Sequence, residues 1–126
     1  ILYINNTLDD VASTVRNNAR SAVKRAKEIT LYCGAKDNKI FGKTQFADLC
    51  DQVGILPYGL TYTEKQILDV LNNCGSATLT GLAAKIGLSK SALQRDHELY
   101  LLNKNLMEID GKRKITSRGL KLCESL

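Results

Sequence analysis

Apolar residues recur at three- and four-residue spacing through most of the chain, and that period predicts a mainly helical protein. Leu8, Val11, Ala12 and Val15 mark a first short helix, opened by Thr7 with Asp10 three positions on as a variant capping box and ending near Arg16. Asn17-Asn18 interrupts the pattern and offers a new N-cap. Ala22, Val23, Ala26, Ile29, Leu31 and Tyr32 then carry a second helix, which Gly34 is expected to stop. Residues 34–43 are polar with two glycines and read as a loop. Thr44 caps a third helix whose buried side is Phe46, Ala47, Leu49, Cys50 and Val53. Gly54, Pro57 and Gly59 follow as the clearest break in the sequence, so a boundary falls between residues 1–59 and 60–126.

Beyond the break, Thr63 and Gln66 form a capping box ahead of Ile67, Leu68, Val70 and Leu71, and the helix stops at Cys74-Gly75. Thr80 caps a short helix through Leu82, Ala83, Ala84 and Ile86, closed by Gly87. Ser89 caps a longer one, from Lys90 to about Lys104, with Leu93, Leu99, Tyr100 and Leu102 inward. From Leu106 to Thr116 the pattern changes. Asp110-Gly111 signals a two-residue hairpin with a type I′ turn, because Asp and Gly tolerate the positive φ such a turn needs. Ser117 caps a last helix through Leu120, Leu122 and Leu126.

Helix, turn, a pair of helices and then a basic hairpin is the order of a winged-helix domain. The helix opened by Ser89 is the one a helix-turn-helix lays in the major groove, with Lys90, Ser91, Gln94 and Arg95 facing outward. The wing tip, Lys112, Arg113 and Lys114, is expected at phosphate or minor groove, and binding through such groups depends on salt because each neutralised phosphate releases counterions. The same fold also serves as a protein-contact or packing module, since a fold does not fix a function.

Charge agrees with a polyanionic partner without requiring one. Among 126 residues, 18 Lys and Arg stand against 13 Asp and Glu, a net charge of +5. Residues 1–59 carry eight basic and six acidic side chains and residues 60–126 carry ten and seven; six of the basic ones fall between Lys104 and Lys121. A solvated surface would look the same. Arg16, Arg20, Lys24 and Lys27 recur at helical spacing, as on a solvated helix face.

Candidate chemistry is sparse. Cys33, Cys50, Cys74 and Cys123 are widely spaced, without a CxxC pair and with His97 as the single histidine, so free thiols are expected and a structural zinc is not. His97, between Asp96 and Glu98, reads as a surface or boundary residue, and Tyr100 as core. Asp9-Asp10 suit the positive end of a helix dipole without any catalytic role. There is no phosphate loop, GxSxG or HExxH, so this chain by itself should not hydrolyse ATP. No apolar run approaches the ~20 residues that cross a bilayer, and Ile1-Leu2-Tyr3-Ile4 is too short for a signal peptide; a cytoplasmic protein away from membranes is expected.

The order of segments resembles the C-terminal part of the RuvB family, the AAA+ ATPases that drive branch migration at Holliday junctions. The resemblance lies in Val11-Ala12 through Arg16-Asn17-Asn18-Ala19-Arg20, in Tyr58-Gly59-Leu60 through Leu68, in Leu79-Thr80-Gly81-Leu82-Ala83-Ala84-Lys85-Ile86-Gly87, in His97-Glu98-Leu99-Tyr100-Leu101 and in Arg113-Lys114-Ile115-Thr116. It implies a mainly α architecture, with an AAA+ small helical lid at 1–59 and a winged-helix domain with a short β-hairpin wing at 60–126. It further implies that Arg20 is the sensor 2 arginine, whose rigid fork of donors suits a nucleotide phosphate. ATP or ADP with Mg is then held mainly by a separate ATPase domain in a parent homo-hexamer. The partners are duplex DNA or a Holliday junction, and a RuvA-like junction-binding protein that docks on that other domain.

This chain departs from the family pattern. Asn17 and Ala19 stand where the family has the glycine and proline of its "G-T-P-R" run, Leu99 replaces the proline of "E-P-Y-L", and Ile109 stands for the first wing arginine in a wing one residue shorter. A divergent member is implied. Two other classes share the layout: replication-initiator ATPases, which would read base edges with Lys90, Gln94 and Arg95, and free-standing winged-helix transcription regulators that use the first sixty residues as a dimerisation arm.

Overall fold

A computed structural model describes residues 1–4, 6–16 and 18–126. The chain forms two compact units, Ile1–Leu60 and Thr61–Leu126.

The first unit holds α1 (Thr7–Ser13), α2 (Ala19–Ala35) and α3 (Lys43–Val53), with β1 (Leu2–Tyr3) pairing in parallel with β2 (Ile40–Phe41). β2 lies inside the segment expected to be loop. Its reason is Phe41, which is fully buried and meets Tyr3 and Tyr32 edge-on at 5.9 and 6.0 Å between ring centres and Phe46 at 6.2 Å. Val11, Ile29, Cys33 and Leu49 complete this core.

Asn18 caps α2 as expected, its Oδ1 accepting from Arg20 N–H at 2.9 Å; Asn17 lies outside the described residues. Gly34 does not end α2, which runs on to Ala35. The chain turns only where Asn38 N–H reaches Cys33 O. Thr7 is not a cap either: it is the first residue of α1, and its hydroxyl donates back to Ile4 O. The N-cap of α3 is Gly42 and not Thr44, with Gln45 Oε1 accepting from Gly42 N–H at 2.8 Å. On α3 the buried residues are Phe46 and Leu49, while Ala47 and Val53 are exposed.

The second unit opens with α4 (Tyr62–Cys74). Its capping box is Thr61 and Glu64, two residues before the expected pair. Thr61 Oγ1 accepts from Glu64 N–H at 3.2 Å and Glu64 Oε1 accepts from Thr61 N–H at 3.0 Å. A two-residue shift recurs where Thr78 caps α5 (Leu79–Ile86) instead of Thr80, and a one-residue shift where Thr116 caps the final helix instead of Ser117. Ser89 caps α6 (Lys90–Leu93), which continues through a π-helical turn, Gln94–Glu98, into α7 (Leu99–Asn103) with α-helical backbone at both joins. Five residues in that turn in place of four rotate the inner face. Glu98 and Leu101 are therefore buried, and Leu99, expected inward, is exposed.

A three-stranded antiparallel sheet has β5 (Lys112–Ile115) in the centre, between β4 (Met107–Asp110) and β3 (Ser76–Ala77). The hairpin sits where expected, but its turn is not type I′. Asp110 pairs with Lys112, and only Gly111, at φ 72°, takes a positive φ. α8 (Ser117–Ser125) closes the unit against α4 and β5. Ile67, Leu68, Leu71, Leu82, Leu93, Leu101, Leu106 and Met107 are all essentially buried and form its core. The result is a mainly helical protein whose second unit is a winged helix.

Candidate nucleic-acid interface

The helical run opened by Ser89 is set by a short turn. α5 ends at Gly87, Leu88 N–H bonds to Ala83 O, and Ser89 Oγ accepts from Ala92 N–H at 3.2 Å to start α6. Leu93 points into the core, so the opposite side of the helix must face water. Lys90, Ser91, Gln94 and Arg95 are all exposed along that side. Arg95 is engaged within the stripe, its Nε 2.8 Å and Nη2 3.2 Å from the two carboxylate oxygens of Asp96. That hydrogen bonding pushes the Arg95 guanidinium up and holds the Asp96 carboxyl below the usual carboxylate range.

The inner side of the π-turn is fastened at two successive residues. His97 Nδ1 lies 2.9 Å from Oε2 of Glu64, a fully buried carboxylate, so the residue that caps α4 also holds the helical run opened by Ser89. Glu98 receives Arg113 from the wing, Nε to Oε2 at 2.8 Å and Nη2 to Oε1 at 3.3 Å. Buried ion pairs need this additional hydrogen bonding to offset the cost of leaving water.

The three wing cations therefore do not act together. Alternation along β5 sends Arg113 inward, with its side chain 12% exposed, while Lys112 is exposed and Lys114 half-buried on the other face. Arg113 fixes the wing to the helix, and Lys112 and Lys114 make no ion pair among the described residues. Arg20 belongs to the first unit, exposed in the first turn of α2. Among the described residues no three His, Cys, Asp or Glu side chains converge on a metal position. The four cysteines are free thiols. Among those same residues, no helix is long and apolar enough to cross a membrane.

Sequence reasoning passed over Glu64 and Glu98 because charged residues are seldom fully buried. A signal for Glu64 was present: Thr61 and Glu64 have the spacing of a capping box. None marked Glu98, whose burial depends on the π-turn.

Residues 57–124 match the family described as the RuvB C-terminal winged helix domain. No curated protein sequence matches the chain. Among solved structures, the Thermotoga maritima RuvB Holliday-junction branch-migration motor superposes with a TM-score of 0.81 at 19% identity, covering 98% of this chain. Variants of that protein give 0.81 to 0.82. The chain spans 43% of the Thermotoga protein's length. A ligand-free NadR structure aligns with 86% of this chain and 70% of its own at 20% identity, with a TM-score of 0.51. At these identities the likeness establishes the fold.

Proposed function

The chain belongs to the RuvB C-terminal winged-helix family, and on that premise we propose that it is the DNA-binding arm and lid of a RuvB-like, ATP-dependent motor driving Holliday-junction branch migration in recombination and repair. The observation that carries the reading is the outward stripe Lys90, Ser91, Gln94 and Arg95, accompanied by a wing that keeps Lys112 and Lys114 free while Arg113 anchors it on Glu98. Cations on two projecting elements suit the backbone of duplex DNA or of a junction.

Such contacts carry no sequence information, which fits a motor that must move along any DNA. A replication initiator would instead read base edges with Lys90, Gln94 and Arg95 and prefer particular sequences.

In this reading residues 1–59 are the AAA+ lid, and Arg20 is the sensor 2 arginine. Its exposed guanidinium at the start of α2 has no ion pair among the described residues, as a phosphate-reading group requires. ATP with Mg, bound mainly by a separate ATPase domain, supplies the free energy. This chain contributes the Arg20 contact and the DNA grip. A hexameric parent, a RuvA-like partner on the ATPase domain and a cytoplasmic location complete the proposal.

The test is binding of the chain to two duplexes of unrelated sequence, a four-way junction and single strands across a range of salt. Equal affinity for the two duplexes supports the motor reading. A strong preference for one of them contradicts it.

A further inference from the structure

The basic row on α2 is not absorbed by the winged-helix reading. Arg20, Lys24 and Lys27 are exposed on one side of the helix and line a shallow hollow of about 430 Å³, whose apolar part is Ala19 and the exposed Val23. The single carboxylate on α2, Glu28, is taken by Arg25 at 2.8 Å, and the three cations of the row make no ion pair among the described residues. Three like charges held within reach of one another, with no acid placed to relieve them, suit an anionic partner.

Lys24 and Lys27 lie three positions apart, a rise of about 4.5 Å along the helix. A duplex strand carries one phosphate per nucleotide, closely spaced along its length, so two long flexible cations one helical turn apart can meet adjacent phosphates of one strand. Val23 and Ala19 give the hollow an apolar floor between the cations. We propose that Lys24 and Lys27 on this face of α2, beside the Arg20 assigned to nucleotide above, are a second contact for a nucleic-acid phosphodiester backbone, located in the first unit and separate from the winged helix. The proposal shares its partner with the reading above but rests on different residues.

The test follows duplex binding of the whole chain against salt for four proteins: the unchanged chain, Lys24→Ala/Lys27→Ala, Lys112→Ala/Lys114→Ala, and all four substitutions together. Arg20 is left alone because of its proposed nucleotide role. Loss of two phosphate contacts lowers the slope of log affinity against log salt by about 1.8, and that loss is expected for Lys24→Ala/Lys27→Ala, adding to the wing's own loss. An unchanged slope for Lys24→Ala/Lys27→Ala, with its circular dichroism intact, overturns the α2 proposal and leaves the wing reading standing. A reduced slope there beside an unchanged slope for the wing variant does the reverse. A polyglutamate peptide that binds through Lys24 and Lys27 more tightly than duplex at matched salt also overturns it, in favour of an acidic protein partner.

Discussion

Arg113 on the wing and Glu98 in the middle of the helical run Lys90–Asn103 share two hydrogen bonds at 2.8 and 3.3 Å, with both side chains almost out of water. The pair joins the strand that carries Lys112 and Lys114 to the helix that carries Lys90 and Arg95. Removing the guanidinium leaves a buried carboxylate without this partner, so Arg113→Ala is expected to destabilise the unit by about 3 to 5 kcal/mol. Arg113→Lys should recover part of that, because a point charge cannot span both oxygens. Urea unfolding of the two variants checks the order; equal stability for Arg113→Ala and the unchanged chain would show that the pair does not hold the wing.

Two glycines should respond in opposite directions. A Cβ on Gly119 would lie 2.3 Å from Leu106 O and 2.6 Å from Ile115 Cγ1, so Gly119→Ala must push α8 off the hairpin, at a cost of about 1 to 3 kcal/mol. Gly34 sits within α2 with open space around it, and Gly34→Ala should stabilise by about 0.5 to 1 kcal/mol. Thermal melts of both variants test the packing of each unit by itself.

Alkaline pH should reveal the Tyr32–Asp48 contact. The Tyr32 hydroxyl donates to Asp48 Oδ2 at 2.7 Å, and this hydrogen bond, then burial and the Asp48 charge, raise the phenol above its ordinary value of 10.0. A raised folded-state value means the contribution is complete below the ordinary phenol value and is lost as pH climbs through the raised one. Tyr32→Phe should therefore melt earlier than the unchanged chain at neutral pH, with the gap closing at strongly alkaline pH. A gap that stays constant across that range would show that the phenol proton plays no part.

Long-period features of this fold were legible in the sequence, and local ones less so. The helices, the hairpin around Gly111 and the outward stripe from Lys90 to Arg95 follow from hydrophobic spacing and turn residues, which act over several positions at once. The capping residues were missed by two positions in α4 and α5. There Thr61 competes with Thr63 and Thr78 with Thr80, and the choice depends on which backbone N–H groups the packed helix leaves unpaired. β1, β2 and β3 are two residues each, too short for an alternation to register. The division of labour within Lys112, Arg113 and Lys114 was illegible for a different reason: it depends on Glu98, and Glu98 is turned inward by a π-turn that no periodicity announces.

On the proposed reading the winged helix grips DNA through the phosphates with Lys112, Lys114 and the outward stripe, while Arg113 holds the wing in place. The most direct measurement is the salt dependence of duplex binding by the unchanged chain, by Lys112→Ala/Lys114→Ala and by Lys90→Ala/Arg95→Ala, with melting followed in parallel. The account predicts melting temperatures near that of the unchanged chain and a slope reduced by about 1.8 for the wing variant, with a reduction also for the helix variant. Slopes equal to that of the unchanged chain in both variants, with the fold intact, would contradict it.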